Sequence, residues 1–133
     1  MAVEVNRIKW CADLVDDFAP SIAANPWGYG TPGEVLHGAE AFEYRNGGEH
    51  ALLAVRQVRR SAGTRLDVVA LVSQGDRLDA RAFSGAVESI AYQLGANQLA
   101  MSTLRPHVAA GAQRAGWMQT GVLLIKPLNG PAQ

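Results

Sequence analysis

The chain has 133 residues, of which 48% are hydrophobic and 18% charged, as expected for a single soluble globular domain. Twelve Lys and Arg residues balance twelve Asp and Glu residues, so we expect no partner held by bulk charge, such as nucleic acid or an anionic membrane. There is no apolar run near the roughly 20 residues that span a bilayer and no secretory signal. The single cysteine, Cys11, excludes an internal disulfide and a cysteine metal cluster. We therefore expect a cytoplasmic protein without a metal site.

The first third of the chain predicts a strand, a helix and a long loop. Residues 2–9 alternate loosely between apolar and polar, which is typical of a strand. Apolar residues then recur at one-turn spacing over 14–22, which predicts an amphipathic helix. Glycine and proline dominate residues 25–34 and predict a loop. Its aromatic residues, Trp27 and Tyr29, either line a pocket or anchor the loop.

The middle of the chain predicts an antiparallel meander. Residues 39–45, 50–59 and 66–73 have the composition of strands. Asn-Gly-Gly at 46–48 and Ser-Ala-Gly-Thr at 61–64 are short turn sequences between them. Three consecutive strands joined by such turns pair side by side in an antiparallel sheet.

The last third alternates between helices and strands. Asp79 is suited to cap the start of a helix, and Gly95 lies where that helix should stop. A strand over 98–103, a helix over 106–115 and a final apolar strand over 121–127 follow. The helix between Asp79 and Gly95 carries one apolar stripe, formed by Phe83, Ala86, Val87, Ile90, Ala91 and Leu94.

The resulting element order, β-α-β-β-β-α-β-α-β, resembles that of the GNAT-type N-acetyltransferases. The resemblance is topological over nearly the whole chain and extends to sequence over residues 79–128. The segments that carry it are Gly95-Ala96-Asn97, residues 99–103 and Ala115-Gly116-Trp117. It implies an α/β fold with a mixed sheet flanked by helices, as one domain over residues 1–128 with a short tail over 129–133.

The same resemblance implies transfer of an acetyl group from acetyl-CoA to a small-molecule or peptide amine, and it is compatible with a homo-oligomer. In the family, a loop of the pattern Gln or Arg, two residues, Gly, one residue, Gly or Ala presents backbone amides to the pyrophosphate of the cofactor. The matching segment here is 74–80. The residues that the resemblance assigns to the cofactor are Val72, whose strand amide would polarise the thioester carbonyl, with Gln74, Gly75, Arg77 and Ala80.

This segment departs from the family pattern in ways that bear on function. Arg77 and Asp79 stand where glycine and a small residue are usual, and Asp76 and Asp79 put carboxylates at a helix start that would receive a diphosphate. Ala112 stands four residues before Gly116, where the family often has an acidic tyrosine hydroxyl. Two functions therefore stay open: an acyl-CoA-dependent N-acyltransferase, and a catalytically silent GNAT-like domain that acts as a binding or assembly module.

Candidate catalytic residues lie on the predicted strands. Glu43 and Asp67, with Glu40 and His50, are candidate general bases on the meander, and Ser102 is a candidate hydroxyl on the fifth strand. Each is also compatible with a solvated strand residue. Because neighbouring residues on a strand point to opposite faces, only one set faces a given cleft.

The resemblance also predicts a gap in the sheet. The strands over 66–73 and 98–103 would be parallel neighbours that part near Ser73 and Ser102. Their separation would open a pocket for the pantetheine arm of the cofactor. A sheet hydrogen-bonded along the full length of both strands would have no such pocket.

Overall fold

A computed structural model describes residues 3–24, 30–103, 105–126 and 128. The predicted loop aromatics Trp27 and Tyr29 and the predicted tail over 129–133 lie outside these ranges. In chain order the elements are β1 (Glu4–Ile8), α1 (Ala12–Ala23), α2 (Pro32–Leu36), β2 (Glu40–Asn46), β3 (Glu49–Arg60), β4 (Gly63–Gly75), α3 (Ala80–Gln93), β5 (Gln98–Met101) and α4 (Pro106–Arg114). Within the described ranges, no helix has the length and hydropathy needed to cross a membrane.

The five strands form one mixed sheet in the order β1-β2-β3-β4-β5. Strands β1 to β4 are antiparallel to their neighbours, and β5 runs parallel to β4. The predicted meander is therefore confirmed. Asn46 pairs with Glu49, so Gly47 and Gly48 alone make the turn between β2 and β3, and Gly47 has the positive φ of +60° that such a turn requires.

Alternation along the strands divides the apolar side chains between two faces of the sheet. One face carries Tyr44, Leu53 and Leu66, which pack against α3. The other carries Leu52 and Ala54 under α1 and α2. The helix residues that cover these two faces are Ala86, Val87, Ile90 and Ala91 on one side and Leu14, Phe18 and Leu36 on the other. The sheet is thus covered by helices on both sides, as the α/β prediction requires.

Helix α3 begins after Asp79 and ends before Gly95, as predicted. Gly95 has φ +74°, a left-handed conformation that glycine adopts without a steric cost. The Ala96 amide donates to the Ala91 carbonyl at 2.8 Å and the Gly95 amide to the Tyr92 carbonyl at 3.2 Å. These two bonds form a Schellman motif, which satisfies the last carbonyls of the helix.

The prediction of a loop over 25–34 is wrong at its C-terminal end, because α2 begins at Pro32. The Thr31 hydroxyl accepts the Glu34 amide at 3.3 Å and donates to the Glu34 carboxylate at 3.0 Å. The Thr31 hydroxyl therefore caps the helix within a sequence of the capping-box pattern, although Glu34 bonds to that hydroxyl and not to the Thr31 amide. Proline suits the first helical position because its missing N–H has no helical partner there. The sequence therefore contained a helix-start signal inside a stretch dominated by glycine and proline.

The final strand predicted over 121–127 is also wrong for the residues that the structure describes. Residues 121–126 form no strand, and position 127 lies outside the described ranges. Val122, Leu123 and Leu124 are 72%, 82% and 87% exposed. Valine and leucine favour a strand only where a neighbouring strand offers hydrogen bonds and a packing surface, and no described strand pairs with this segment.

Candidate functional site

Strand β5 pairs with only part of β4. Pairing between these strands runs from Arg65 and Gln98 to Val68 and Met101. Strand β4 continues to Gly75, whereas β5 ends at Met101. Pairing therefore ends before Ser73 and Ser102, because β5 ends at Met101, and the predicted pocket between the two strands stays a prediction.

A bulge in β4 lies at the point where the two strands part. Val55 of β3 pairs with Val68 and Ala54 pairs with Ala70, so Val69 is an extra residue on β4. A bulge bends its strand and disturbs the regular pairing of backbone groups. Beyond it, the backbone of β4 is bonded on the β3 side, and no described strand pairs with its other edge.

The loop after β4 is held against the turn between β2 and β3. The Asp76 amide donates to the Gly48 carbonyl at 3.0 Å. Gly75 has φ +78°, and a side chain there would collide with the Gly48 carbonyl oxygen. Glycine at 75 is therefore required by the close approach of two backbone segments, whether or not a ligand binds the loop.

Two carboxylates occupy backbone amides at the start of α3. Asp79 Oδ1 accepts the amides of Arg81 at 3.0 Å and Ala82 at 3.2 Å, so the predicted cap is confirmed. Glu49 Oε1, from β3, accepts the Asp79 amide at 2.7 Å. The positive end of the helix dipole stabilises both negative charges.

Glu49 also accepts a hydrogen bond from a buried tyrosine. The Tyr44 hydroxyl donates to Glu49 Oε1 at 3.4 Å, and the Tyr44 ring meets Phe83 edge-on with ring centroids 5.1 Å apart. Burial, with the nearby charge of Glu49, raises the pKa of Tyr44 above its ordinary value, so the phenol stays neutral. The start of α3 is therefore connected to β2 and β3 through Glu49.

An open depression of about 470 Å³ lies beside this helix start, lined by Asp79, Ala80, Arg81 and Arg114. Helix α4 reaches it because Gly111 lets the two helices approach closely: a Cβ at Gly111 would lie 3.3 Å from that of Ala80. The close approach brings the Arg114 guanidinium next to α3. Two guanidinium groups, Arg81 and Arg114, thus line a depression at the positive end of a helix.

These donors fit a phosphorylated ligand with one local rearrangement. Guanidinium groups bind phosphate oxygens well, and the Ala80 amide is not bonded to the capping carboxylate. The amides of Arg81 and Ala82 become available to a phosphate only when the Asp79 side chain moves away from them. The cap stabilises the helix by about 1 kcal/mol, so moving the Asp79 side chain away has a small free-energy cost.

The remaining residues assigned to the cofactor by resemblance lie along the end of β4. Val72 pairs with Leu52 of β3, and its side chain packs with the apolar residues under α1 and α2. Gln74 pairs with His50 and is exposed. Arg77 is exposed on the loop between β4 and α3.

Glu43 and His50 form a hydrogen-bonded pair on β2 and β3. His50 Nε2 lies 2.9 Å from Glu43 Oε2, and both side chains are about three-quarters buried, with 22% and 27% exposed. The hydrogen bonds from His50 and then Arg45 hold the pKa of Glu43 below its usual value. Glu43 is therefore an ionised acceptor, which puts the shared proton on His50 Nε2 and, in a neutral imidazole, leaves Nδ1 as the basic nitrogen.

The other candidate bases are bound in surface ion pairs. Asp67 accepts two hydrogen bonds from the Arg65 guanidinium, at 2.6 and 3.1 Å. Glu40 accepts one from Arg7 at 2.8 Å. Ser102 follows the end of β5 and is exposed. No bond among the described side chains links these candidates to the Glu43–His50 pair.

The Gly-Trp sequence that resembles the family anchors the end of α4. The Trp117 indole donates to the Ser84 hydroxyl at 2.9 Å, and Ser84, which is buried, donates to Glu88 at 3.2 Å. The Trp117 amide donates to the Ala112 carbonyl at 3.0 Å. Ala112 lies on α4, and its side chain has no hydroxyl that could act as an acid.

No protein-family model matches the chain, and no curated protein matches it by sequence. Among solved structures, a ribosomal-protein-alanine N-acetyltransferase from Brucella melitensis biovar Abortus 2308 superposes with a TM-score of 0.61 and 14% identity, over 96% of this chain and 100% of that chain. The wild-type protein TTHA1254 from Thermus thermophilus gives a TM-score of 0.54 and 16% identity, over 94% and 98%. An integron cassette protein from the mobile metagenome of V. cholerae gives 0.55 and 12%, over 98% and 94%. At these identities the similarity shows the fold alone, and that fold is GNAT-like.

Sequence reasoning named Glu43 and His50 separately but missed their pairing. The signal was available, because the two-residue turn at 47–48 puts Arg45 opposite His50 and so puts Glu43 on the same face, one diagonal step away. The role of Glu49 was missed for a different reason. It caps a helix 30 positions later in the chain, and nothing local in the sequence indicates such a contact.

Proposed function

We propose that the protein is an N-acyltransferase that uses acetyl-CoA and acts on a small-molecule or peptide amine. The observation that supports the proposal is that pairing between β4 and β5 ends at Val68 and Met101, next to the bulge at Val69. Beyond this point no described strand pairs with the outer edge of β4, so its backbone groups on that edge are available to a ligand. Combined with the GNAT-like fold, it supports binding of a thioester there.

When bound, acetyl-CoA supplies the activated acyl group, and this chain supplies the groups that hold it. Arg77, Arg81 and Arg114 would bind phosphate oxygens, together with the Ala80 amide and the amides of Arg81 and Ala82 once the Asp79 side chain has moved away. Backbone amides of β4 beyond the bulge, including that of Val72, would polarise the acyl carbonyl.

The Glu43–His50 pair is the best-placed base. His50 pairs with Gln74, which lies two positions before the start of the loop that leads to α3. Glu43 would orient the ring through its hydrogen bond to Nε2, and His50 Nδ1 would take the proton from the attacking amine. We expect Ser102 and Asp67 to contribute less, since Asp67 is already paired with Arg65.

A catalytically silent binding or assembly module is the second candidate. The occupation of the α3 amides by Asp79 and Glu49 favours it, because the helix start is complete without a ligand. Ala112, in place of an acidic hydroxyl, favours it as well. Both features concern single side chains, which allows a direct test.

The test is calorimetric titration of acetyl-CoA into the wild type, Asp79→Gly and Arg77→Ala at low and moderate salt. For the acyltransferase, Asp79→Gly binds more tightly than the wild type because a negative charge is lost and helix amides are freed. Arg77→Ala binds more weakly, and salt reduces the difference between it and the wild type. Arg59→Ala is the matched control, since Arg59 lies near the opposite end of β3 from the α3 start, and its binding should equal that of the wild type.

The silent module predicts a loss of stability in Asp79→Gly and no binding by any variant. Absence of heat with all of these proteins at millimolar acetyl-CoA would therefore reject the acyltransferase. Binding without release of free thiol across a panel of primary amines would retain the cofactor site and reject catalysis.

A further inference from the structure

A second cavity, of about 250 Å³, lies at the end of the sheet opposite to the start of α3. The turn between β3 and β4 forms one side of it, and the start of β5 forms the other. Arg65, which lines the cavity, is ten positions from Gly75 on β4, roughly 33 Å along an extended strand. The cavity is therefore far from the acyl-CoA site proposed above.

Strand register places polar side chains of this cavity on one face of the sheet. Arg65 of β4 pairs with Val58 of β3 on one side and with Gln98 of β5 on the other. Directly paired residues point to the same face of a sheet, and Arg60 follows two positions after Val58, on that same face. Two guanidinium groups and a carboxamide therefore line the cavity from neighbouring positions.

Asn97 forms a wall of the cavity that two hydrogen bonds hold in place. The Asn97 amide donates to the Thr64 carbonyl at 2.9 Å, and the Thr64 amide donates to Asn97 Oδ1 at 3.1 Å. The approach is close, because a Cβ at Gly63 would lie only 2.6 Å from Asn97 Oδ1. With Oδ1 bound to Thr64, the Nδ2 group of Asn97 is a further donor beside the cavity.

The two guanidinium groups differ in what they already bind. Asp67 accepts hydrogen bonds from Nε and Nη2 of Arg65, at 2.6 and 3.1 Å, and no described residue bonds the Arg65 Nη1 group. Arg60 donates to the carbonyl of Arg59 at 3.3 Å, and no described carboxylate lies within ion-pair distance of Arg60. Since Asp67 offsets the charge of Arg65, Arg60 supplies the net positive charge at the cavity.

We propose that this cavity binds the phosphate group of a small phosphate monoester. Guanidinium groups match the geometry of phosphate oxygens, and Arg60 and Arg65 would bind the group together, with Asn97 Nδ2 as a neutral donor. Val58 and Ala62 supply apolar surface for the organic part of the ligand. The volume lies below the roughly 300 Å³ at which pockets for drug-sized ligands begin, so the organic part is small.

The test is calorimetric titration of phenyl phosphate into the wild type, with phenol and inorganic phosphate as matched ligands. We expect phenyl phosphate to bind and phenol not to bind. Inorganic phosphate should bind more weakly than phenyl phosphate, because it has no group to contact Val58 and Ala62.

Two variants of the hairpin separate the cavity from the overall charge. Arg60→Gln should weaken binding of phenyl phosphate by about tenfold or more, since a charged hydrogen bond is lost. Arg59→Gln is the matched control, because it removes the same charge from the same hairpin. The Arg59 side chain bonds Gln57 and does not line the cavity, so this variant should bind like the wild type.

Two further variants test the place of binding. Gln98→Glu keeps the size of an exposed side chain and adds a carboxylate beside Arg65, so it should abolish binding while the circular dichroism stays that of the wild type. Arg81→Gln changes the depression beside α3 and should leave binding of phenyl phosphate unchanged.

Absence of heat with phenyl phosphate at millimolar concentration overturns the proposal. Equal weakening by Arg59→Gln and Arg60→Gln also overturns it, because the effect would then follow overall charge. Binding that is lost in Arg81→Gln and kept in Arg60→Gln would place the ligand beside α3 and overturn it as well. Equal affinities for inorganic phosphate and phenyl phosphate would rule out a site for a monoester.

Discussion

Helix α3 and the segment at 118–128 have similar apolar content, yet the structure treats them in opposite ways. In α3, Val87 and Ile90 are 1% and 2% exposed. In the segment, Leu124 is 87% exposed. The helix satisfies its own backbone and needs only a surface to pack against, which β2 to β4 provide. A strand needs another strand for its backbone groups, so the same apolar content stays unfolded until an edge is available.

The largest expected effect is on the free energy of unfolding when a large side chain is truncated in each region. Ile90→Ala should lower the free energy of unfolding by roughly 2–5 kcal/mol, because it leaves a cavity in the core. Leu123→Ala should lower it by less than about 0.5 kcal/mol at a protein concentration where the chain is monomeric. Urea denaturation measures both. Similar losses for the two variants would show that the segment is packed within its own chain.

One hydrogen bond, from the Trp117 indole to Ser84, connects α3 to the chain just before the segment at 118–128. Trp117→Phe removes the indole donor to Ser84 and should cost about 1–2 kcal/mol. In a double-mutant cycle with Ser84→Ala, the coupling energy should be about 1 kcal/mol, since each single change removes the same bond. Strictly additive losses would mean that the bond contributes nothing to stability.

Within the packed region, the polar contacts at the start of α3 should contribute less than its apolar face. Asp79→Ala should cost about 1 kcal/mol through the lost cap. Asp17→Ala is the control, because Asp17 is exposed inside α1 and alanine favours a helix interior. Thermal unfolding of both variants tests this expectation, and equal midpoints would argue against a stabilising role of the Asp79 side chain.

The smallest effect concerns the Glu43–His50 pair and depends on pH. Glu43→Gln should cost less than about 1 kcal/mol, since the pair is partly solvated. Because the pKa of Glu43 is lower in the folded state than its usual 4.5, its contribution is complete above that value and is lost as the pH falls through the folded-state pKa. Urea unfolding of the wild type and variant at several pH values should show their difference shrinking below about pH 4.5. A difference that grows on acidification would mean that folding raises the pKa of Glu43.

The elements that sequence predicted correctly are those whose signals are local. The stripe on α3, its cap at Asp79 and its stop at Gly95 are all contained in one stretch of chain. Two further features depend on distant partners. Glu49 binds an amide 30 positions away, and the segment expected to form a strand over 121–127 pairs with no described strand. The small helix α2 was missed for another reason, since Thr31 and Glu34 have the local sequence pattern of a capping box.

The candidate site divides in the same way. The separation of β4 and β5 near Ser73 and Ser102 was predicted from a resemblance in topology, and the pocket expected there stays a prediction. The approach of Arg114 to α3 depends on a glycine contact between two helices, and no local pattern encodes such packing. Side chains brought together by tertiary packing are therefore the part of a site that one sequence reveals least.

The two carboxylates at the start of α3 would make the proposed phosphate site selective for ligand charge. An anion with a single phosphate would gain little more than the roughly 1 kcal/mol of capping that it displaces. A ligand with several phosphates would also reach Arg81 and Arg114, which line the same depression, and each charged hydrogen bond would add to its advantage. Free inorganic phosphate should therefore compete poorly at this helix start, even where it is abundant.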